Sequence, residues 1–558
     1  MNQANAVGAP RTLRLLNLLA WALALWTLLT TIAATVAAYS ALPYEDEWDT
    51  WLSYLRRGYG LGWFFALHND HRIAAPRVLF AIDHLAFDGR RWFLLVSSFV
   101  LQALLALLLW RLARRATVRD RDEDGVLGAA IVCCLFSAQQ ALNFYWGFQV
   151  QFFMVYAAGA AALFALLRSA AAASAVRRGA WFAASLLLAA VCTYSMANGI
   201  FIWPVLLLTA VWLKVPRPGL ALAAAGTVLL PALYFHGWHA SKLDGAVPIA
   251  RTAAFALANL GSPLVPLLAR LGAGVRVAVI ATALVGAALL AGAAGAWVSL
   301  WRNRARFSSE HAVLAHFALF VAAASFAIAS GRAHLPLDAA FRSRYITPPY
   351  IFWLCLLILA WPRLRCWHAP APHAMVCAAL LFGVAIHQTG KLREAARFGA
   401  GFHRGEVAVV DGVSDPTAWL SVFRSAAEAQ PAVDYLRATR LSIFTERWTH
   451  WPGLPLASRF SIDPNSGACQ GRLEEAAPVT EPPQPGWSLS GQAMYPGTTA
   501  SPRFVVFADP AGTIAGVAPV AAGRWMGYVP SGPASITAYG VEPDGKTLCS
   551  LGSRALGP

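Results

Sequence analysis

The sequence predicts a mainly α-helical, multi-pass (polytopic) membrane protein with a small β-rich domain at its C-terminus. Three observations predict this class. Of the 558 residues, 58% are apolar and 13% are charged, whereas soluble domains carry about 25% charged residues. The apolar residues form long runs, and the basic excess accompanies those runs. Residues 391–558 contain 14 basic and 14 acidic residues, so the net charge of +16 belongs to residues 1–390.

The apolar runs are long enough to cross a bilayer. A transmembrane helix needs about 20 mainly apolar residues, and the sequence contains about eleven such runs. They lie near 16–38, 92–110, 126–142, 148–167, 180–197, 200–213, 219–236, 277–298, 311–330, 346–361 and 374–390. We therefore expect residues 1–390 to form a transmembrane domain.

The basic residues cluster in alternate loops between these runs. The clusters are Arg11 and Arg14; Arg111, Arg114, Arg115, Arg119 and Arg121; Arg168, Arg177 and Arg178; Lys214 and Arg217; Arg302, Arg304 and Arg306; and Arg363 and Arg365. Because cytoplasmic loops are enriched in Lys and Arg, we expect a cytoplasmic N-terminus and an external C-terminal region. The charge thus indicates topology and not a nucleic-acid surface. The first run is too long for a cleaved signal peptide.

The composition changes after residue 390. Residues 391–445 predict an α/β connecting segment, with a short strand in GEVAVVDGV and helices after it. Residues 446–558 alternate β-branched stretches with turn residues, which predicts an external, β-rich domain. Its two cysteines, Cys469 and Cys549, could form a disulfide in an oxidising compartment.

The predicted first outer loop, 40–91, begins with an acidic run that contains Glu45, Asp46, Glu47 and Asp49. Like charges this close raise one another's pKa, and a carboxylate so tuned can act as a general base. A carboxylate pair could also hold a divalent metal such as Mg²⁺ or Mn²⁺. The alternative is a solvated acidic turn.

The same loop contains amphipathic stretches that could lie flat on the membrane. Between them stand Asn69, His71 and Arg72. Long basic side chains at an interface also extend to lipid headgroups, and we expect this of Arg56, Arg57, Arg90 and Arg91.

The predicted outer loop before residue 346 contains Arg332, Arg342, Arg344 and Tyr345. Three arginines on the outer face oppose the charge bias that sets topology, so they need another reason. The guanidinium fork suits phosphate oxygens, and lipid headgroup binding is the alternative. The spans themselves contain almost no charged residues, which counts against a pump or a proton-coupled carrier.

Five motifs occur in order along residues 10–390: EDEW, HNDHR, NFYWGFQ, SMANG and GR…SRY. This set resembles a bacterial membrane-protein family of GT-C-like organisation. The acidic motif directly after the first span, the long first outer loop with membrane-parallel helices, about eleven spans and an external C-terminal domain together resemble the GT-C superfamily of integral-membrane glycosyltransferases. The resemblance implies a polyprenyl-phosphate-linked sugar donor used on the external face, with an acidic residue of the first loop as base. That role falls on Asp46, or on Glu47 beside it. Some GT-C branches need a divalent metal and others do not.

The expected function is therefore sugar transfer from a polyprenyl-phosphate donor to a periplasmic glycan or lipid acceptor, in the bacterial inner membrane. Asp46 and Glu47 are the expected catalytic residues, with Asp49 as a metal-binding candidate. Arg72, Arg332, Arg342 and Arg344 would hold the donor phosphate, and Asn69, His71 and Tyr345 would orient the substrates. The alternatives are a lipid-linked oligosaccharide flippase and an O-antigen polymerase.

Overall fold

The computed structural model describes residues 8–238, 248–366, 370–462, 469–495, 498 and 500–557. Over these ranges the helices are α1 (Gly8–Ala37), α2 (Asp46–Arg57), α3 (Leu61–Phe64), α4 (Ala74–Ala86), α5 (Trp92–Ala116), α6 (Arg121–Leu135), α7 (Ala141–Tyr145), α8 (Val150–Ala170), α9 (Ala175–Thr193), α10 (Ile202–Trp212), α11 (Arg217–Phe235), α12 (Ile249–Leu260), α13 (Val265–Arg270), α14 (Val275–Arg302), α15 (Ser309–Ser330), α16 (Thr347–Leu364), α17 (Ala371–Gly383), α18 (Gln388–Asp411), α19 (Pro416–Trp419) and α20 (Ala426–Thr439).

The strands are β1 (Leu67–His68), β2 (His71–Arg72), β3 (Ser461–Ile462), β4 (Gln470–Val479), β5 (Gly486–Met494), β6 (Phe504–Ala508), β7 (Ile514–Ala521), β8 (Arg524–Pro530), β9 (Ser535–Val541) and β10 (Thr547–Ala555). Short 3-10 turns join several of these elements. The chain is thus mainly helical, with its strands concentrated after residue 460, as the sequence predicts.

The chain divides into two compact units. The membrane unit comprises Met1–Ala37, Gly60–Leu79 and Leu94–Ala395, and the C-terminal unit comprises Ala38–Tyr59, Phe80–Phe93 and Ala396–Pro558. The predicted first loop, 40–91, is therefore divided between the two units, which its sequence does not indicate.

Ten helices in the described part of the chain are long and apolar enough to cross a membrane. They coincide with ten of the eleven predicted runs. The remaining run, near 200–213, forms a shorter apolar helix over Ala197–Trp212, which at 1.5 Å per residue reaches only about 24 Å. A further candidate span is a pair, Ile249–Leu260 and Ser262–Arg270, bent by 50°. This pair lies outside the eleven apolar runs predicted from the sequence.

In the membrane unit, α8 lies inside the bundle and packs against α9, α10 and α15. Nearly all of its side chains are buried. Other spans expose large apolar side chains, among them Leu25, Leu29, Val100 and Leu284. In water such a surface would be unfavourable, whereas in a bilayer it contacts lipid acyl chains. The protein is therefore a multi-pass membrane protein whose partner is the lipid bilayer.

The strand predicted in GEVAVVDGV is wrong, because these residues continue α18 as far as Asp411. The run is apolar since this part of the helix is enclosed on more than one face. Val409 and Val410 belong to one buried cluster, and Val407 to another. A short apolar run that is buried all round cannot be distinguished from a strand by its periodicity.

The C-terminal sheet has eight strands in the order β3-β10-β9-β6-β7-β8-β5-β4. β3 lies parallel to β10, and the other recorded pairs are antiparallel. Both faces of β6 are covered, since Val505 and Phe507 enter one apolar cluster and Val506 and Ala508 enter another. Cys469 and Cys549 are joined as a disulfide.

Asp411, the last residue of α18, binds the sheet through its carboxylate. Strands β7 and β8 pair only near their shared turn, at Val520–Trp525 and Ala521–Arg524. Beyond that turn, the backbone N–H groups of Val517 and Tyr528 donate to the two carboxylate oxygens of Asp411, at 3.1 and 3.2 Å. The side chain of Asp411 therefore replaces a missing part of the ladder.

We expect Asp411→Ala to lower the free energy of unfolding by about 2 kcal/mol or more, because two buried N–H groups lose their acceptor. Asp544→Ala is the matched control. Asp544 also accepts two backbone N–H groups, at 2.9 and 2.8 Å, but it is exposed, so water replaces the carboxylate. Chemical unfolding of the purified protein, followed by tryptophan fluorescence, measures both. Equal losses in the two variants would contradict the assignment.

Candidate functional site

In the membrane unit, two arginines flank one tyrosine in the irregular segment between α15 and α16. The Nε of Arg332 donates to the Tyr345 hydroxyl at 3.0 Å. The guanidinium of Arg344 lies over the Tyr345 ring, with its central carbon 4.9 Å from the ring centroid. Tyr345 is buried, so its ring and hydroxyl fix the positions of both cations. We call Arg332 and Arg344, which Tyr345 holds in place, the arginine pair.

The arginine pair keeps hydrogen-bonding capacity for a ligand. The Nε of Arg344 is buried and has no hydrogen-bond partner among the described residues. Among the described residues, no ion pair includes Arg332, Arg342 or Arg344. A buried guanidinium N–H without an acceptor costs free energy, which an anion would recover. Arg342 is exposed.

Buried polar side chains of the segment before α8 support this site. The amide nitrogen of Asn143 donates to the Arg344 carbonyl at 3.2 Å and to the Thr347 hydroxyl at 3.0 Å. The Thr347 hydroxyl in turn donates to Gln140 Oε1 at 2.6 Å. Ser343 donates to the Gln139 carbonyl at 2.8 Å. These bonds hold the backbone on which Arg344 stands.

A second amide supports the site from α12. The Nδ2 of Asn259 donates to the carbonyls of Ala340 and Tyr345, at 3.0 and 3.1 Å. Gln139, Gln140 and Asn259 are not among the site residues predicted from the sequence. The adjacent pair of glutamines inside an apolar span was a visible signal, because buried polar groups in a membrane need partners.

The predicted residues Asn69, His71 and Arg72 lie in the hairpin formed by β1 and β2. Asn69 occupies the turn with a positive φ of 49°, a conformation that asparagine tolerates, and its side chain is exposed. His71 is half-buried at the start of β2. These three residues are on the membrane unit, as is the arginine pair.

Arg72 is extensively hydrogen-bonded within this unit. Its guanidinium donates to the carbonyls of Tyr234 at 2.7 Å, Phe65 at 2.5 Å and His236 at 2.5 Å. Its backbone N–H donates to the Tyr234 hydroxyl at 2.9 Å. Arg72 therefore ties the hairpin to the end of α11. A role in phosphate binding stays a prediction for Arg72. It would require guanidinium N–H groups that now donate to these carbonyls to donate to a phosphate as well.

The predicted carboxylates lie in the C-terminal unit, at the start of α2. Glu47 is buried, and its Oε2 accepts from Arg91 Nε at 2.5 Å and from the Tyr44 N–H at 3.0 Å. Arg91 is 3% exposed and also donates to the Ser40 carbonyl at 2.7 Å. The expectation that Arg91 extends to lipid headgroups is therefore wrong, because this side chain forms a buried ion pair.

Asp83 is a further buried acid next to this ion pair, and the sequence analysis gave it no role. Its Oδ2 accepts from the Arg91 N–H at 3.2 Å, while its Oδ1 is buried without a partner among the described residues. Burial raises the pKa of Asp83 to about 7, with Glu47 adding a smaller repulsion. The neighbouring His84 stacks on Trp51, with ring centroids 3.6 Å apart, and burial lowers its pKa to about 3.

Two of the other carboxylates in the acidic run, Asp46 and Asp49, have different surroundings. Asp46 is half-buried at the first position of α2. Asp49 accepts two bonds from Arg424, at 3.0 and 2.9 Å. In the described part of the chain, no group of three His, Cys, Asp or Glu side chains could hold a metal ion. Because Mg²⁺ is commonly held by only one or two carboxylates together with waters and substrate phosphates, metal binding by Asp49 stays a prediction.

We expect Glu47→Gln to lower the free energy of unfolding by about 3 kcal/mol, because it leaves the buried charge of Arg91 unpaired. Asp49→Asn is the control. It breaks a half-exposed ion pair with Arg424, and such pairs contribute about 1 kcal/mol or less. Chemical unfolding of the purified protein in detergent compares the two. A loss for Glu47→Gln no larger than that of the control would contradict a structural role for Glu47.

Asp83 should make stability depend on pH. Because its folded pKa is raised, the folded protein binds this proton more tightly than the unfolded chain. The contribution of Asp83 to stability is therefore greatest near pH 4 and falls as pH rises to about 7. His84, with its lowered pKa, has the opposite effect, because protonation favours the unfolded chain between about pH 6.5 and pH 3.

The difference in melting temperature between wild type and Asp83→Asn reports the contribution of Asp83 alone, because His84 is present in both proteins. We expect the melting temperature of wild type to fall, relative to the variant, between pH 5 and pH 7.5. Thermal unfolding in buffers of equal ionic strength measures this difference. A difference that stays constant over this range would show that Asp83 does not titrate there.

Compared with protein-family models and with curated proteins, the chain matches none of them.

Proposed function

We propose that the protein is a membrane glycosyltransferase of GT-C type that transfers a sugar from a polyprenyl-phosphate-linked donor to a periplasmic glycan or glycolipid. The arginine pair carries this proposal. Arg332 and Arg344 are held on one buried tyrosine, and the Nε of Arg344 lacks an acceptor among the described residues. A guanidinium held in this way suits the oxygens of a phosphate. A lipid-linked phosphate explains why such a site belongs to a membrane protein.

The proposed reaction needs a base and a stabilised leaving group. The acceptor hydroxyl loses its proton to a carboxylate as its oxygen bonds to the anomeric carbon of the sugar. The bond from that carbon to the phosphate oxygen breaks, and its electron pair leaves with the lipid phosphate. Guanidinium groups that donate to the phosphate oxygens stabilise this charge. A single displacement of this kind inverts the anomeric centre.

Within the acidic run, the proposal gives the role of base to Asp46, because the resemblance to GT-C enzymes places an acidic base at this position of the first outer loop. Asp46 is half-buried at the first position of α2. Glu47, beside it, forms a buried ion pair with Arg91. Arg332 and Arg344 are the proposed phosphate ligands, with Tyr345 as the residue that positions them, and exposed Arg342 as an additional cation. Asn69 and His71 stay candidates for orienting a substrate.

The proposed location is the bacterial inner membrane, with the N-terminus in the cytoplasm and the C-terminal unit outside. The alternating basic clusters support this orientation. The disulfide between Cys469 and Cys549 also supports it, because such bonds persist in oxidising compartments.

A lipid-linked oligosaccharide flippase is the second candidate, and one observation favours it. The pair of helices Ile249–Leu260 and Ser262–Arg270 is bent by 50°, and transporters commonly build their substrate sites from broken helices. An O-antigen polymerase would use the same arginines but has less need of Asp46. Movement of a fluorescent lipid-linked glycan across liposomes, without sugar transfer, would favour the flippase.

We expect purified protein to transfer a labelled sugar from a polyprenyl-phosphate donor. Asp46→Asn should lower kcat by about 10²-fold or more, because the base is lost. Arg344→Ala should lower kcat by a similar factor, because the leaving phosphate loses a fixed donor. Arg276→Ala, which removes an exposed arginine from the start of α14, is the control and should retain full activity.

The separate variants test separate parts of the proposal. Full activity of Asp46→Asn would exclude Asp46 as the base, and full activity of Arg344→Ala would exclude the arginine pair as the phosphate site. If wild type consumes no polyprenyl-phosphate sugar of any tested hexose or pentose, the glycosyltransferase assignment itself is wrong.

A further inference from the structure

A second basic site lies in the membrane unit, at the ends of α8 and α10 and the beginnings of α9 and α11. A cavity of about 420 Å³ is lined there by Arg178 and Lys214, together with Ser169, Phe182, Val215 and Gly219. Its lining thus combines two cations with an apolar wall, and it contains no acidic side chain among the described residues. We call it the basic cavity.

The charge around the basic cavity is not neutralised by the chain that forms it. The sequence contains no Asp or Glu between Asp124 and Asp244. Three more arginines lie near the same helix ends: Arg168 in the last turn of α8, Arg177 in the first turn of α9 and Arg217 at the start of α11. The first turns of α9 and α11 line the cavity as well. The partial positive charge of a helix N-terminus adds to that of the side chains.

Lys214 occupies a backbone conformation that suits glycine. Its φ is +56°, two residues after the end of α10 at Trp212. Its N–H donates to the Val211 carbonyl at 3.3 Å, and the next N–H, of Val215, donates to the Ala210 carbonyl at 3.0 Å. Helices commonly end this way with glycine, and a lysine in this conformation costs about 1 kcal/mol of backbone strain. The backbone of this turn thus places Lys214 at the basic cavity, which this residue lines.

We propose that the basic cavity binds the phosphate headgroup of an anionic membrane lipid. The cations Arg178 and Lys214 would contact the phosphate, and the apolar wall of Phe182 and Val215 would contact the first part of the acyl chains. Basic pockets between transmembrane helices are suited to such headgroups. This inference does not depend on the proposed glycosyltransferase activity, since it concerns different residues of the membrane unit.

The test uses the full-length protein in a neutral detergent. Phosphatidylglycerol should raise the melting temperature of wild type in a saturable way, whereas phosphatidylcholine should not. In Arg178→Gln/Lys214→Gln, the lipid concentration at half-saturation should rise about tenfold or more, since each cation near a headgroup contributes to binding. Arg177→Gln/Arg217→Gln is the matched control. It removes the same charge from the first turns of α9 and α11, at residues that do not line the cavity, and should keep most of the response.

Lys214→Gly provides a variant whose fold is not weakened. It relieves the positive φ, so its melting temperature without lipid should equal or exceed that of wild type, while its response to phosphatidylglycerol should decline. Equal responses of wild type and both double variants would overturn the proposal, as would an equal loss in the two double variants. If inorganic phosphate alone reproduces the wild-type shift, and Arg178→Gln/Lys214→Gln abolishes it, the ligand is a free phosphate and the lipid assignment is wrong.

Discussion

Two buried amide side chains, Asn143 and Asn259, hold the irregular chain that carries the arginine pair. Segments without regular structure leave backbone carbonyls without helical partners, and carbonyls of buried residues such as Ala340 and Tyr345 need partners within the protein. Asn143 binds the carbonyl of Arg344, and Asn259 binds those of Ala340 and Tyr345. The position of both guanidinium groups depends on these bonds. Rigid support of this kind is what a preorganised phosphate site requires.

The acidic run shows how neighbours in sequence take different roles. Successive residues of a helix are rotated by about 100°, so α2 directs its carboxylates to different surroundings. Glu47 forms a buried ion pair with Arg91, Asp49 forms a half-exposed pair with Arg424, and Asp46 is half-buried. The run was interpreted as one group of mutually tuned acids. Its members are therefore better considered one by one than as a group with a shared pKa.

Basic residues that report topology can also form a site. Five cations lie at or near the ends of α8 and α10 and the beginnings of α9 and α11, as the charge bias of cytoplasmic loops predicts. The structure brings two of them, Arg178 and Lys214, to one cavity between helix ends. A topology signal and a lipid-binding site are compatible, because both depend on positive charge at a membrane surface.

The amino-acid sequence alone specified the class of the protein and most of its spans, because hydropathy over about 20 residues is a local property that the bilayer selects. It also indicated the β-rich C-terminal domain and the arginines at 332 and 344. Tertiary structure decided the rest. It showed GEVAVVDGV to be helical, since contacts from several sides, and not local pattern, explain its apolar residues. It also paired Glu47 with Arg91, which are 44 residues apart, and no local pattern can specify which distant cation neutralises a buried acid.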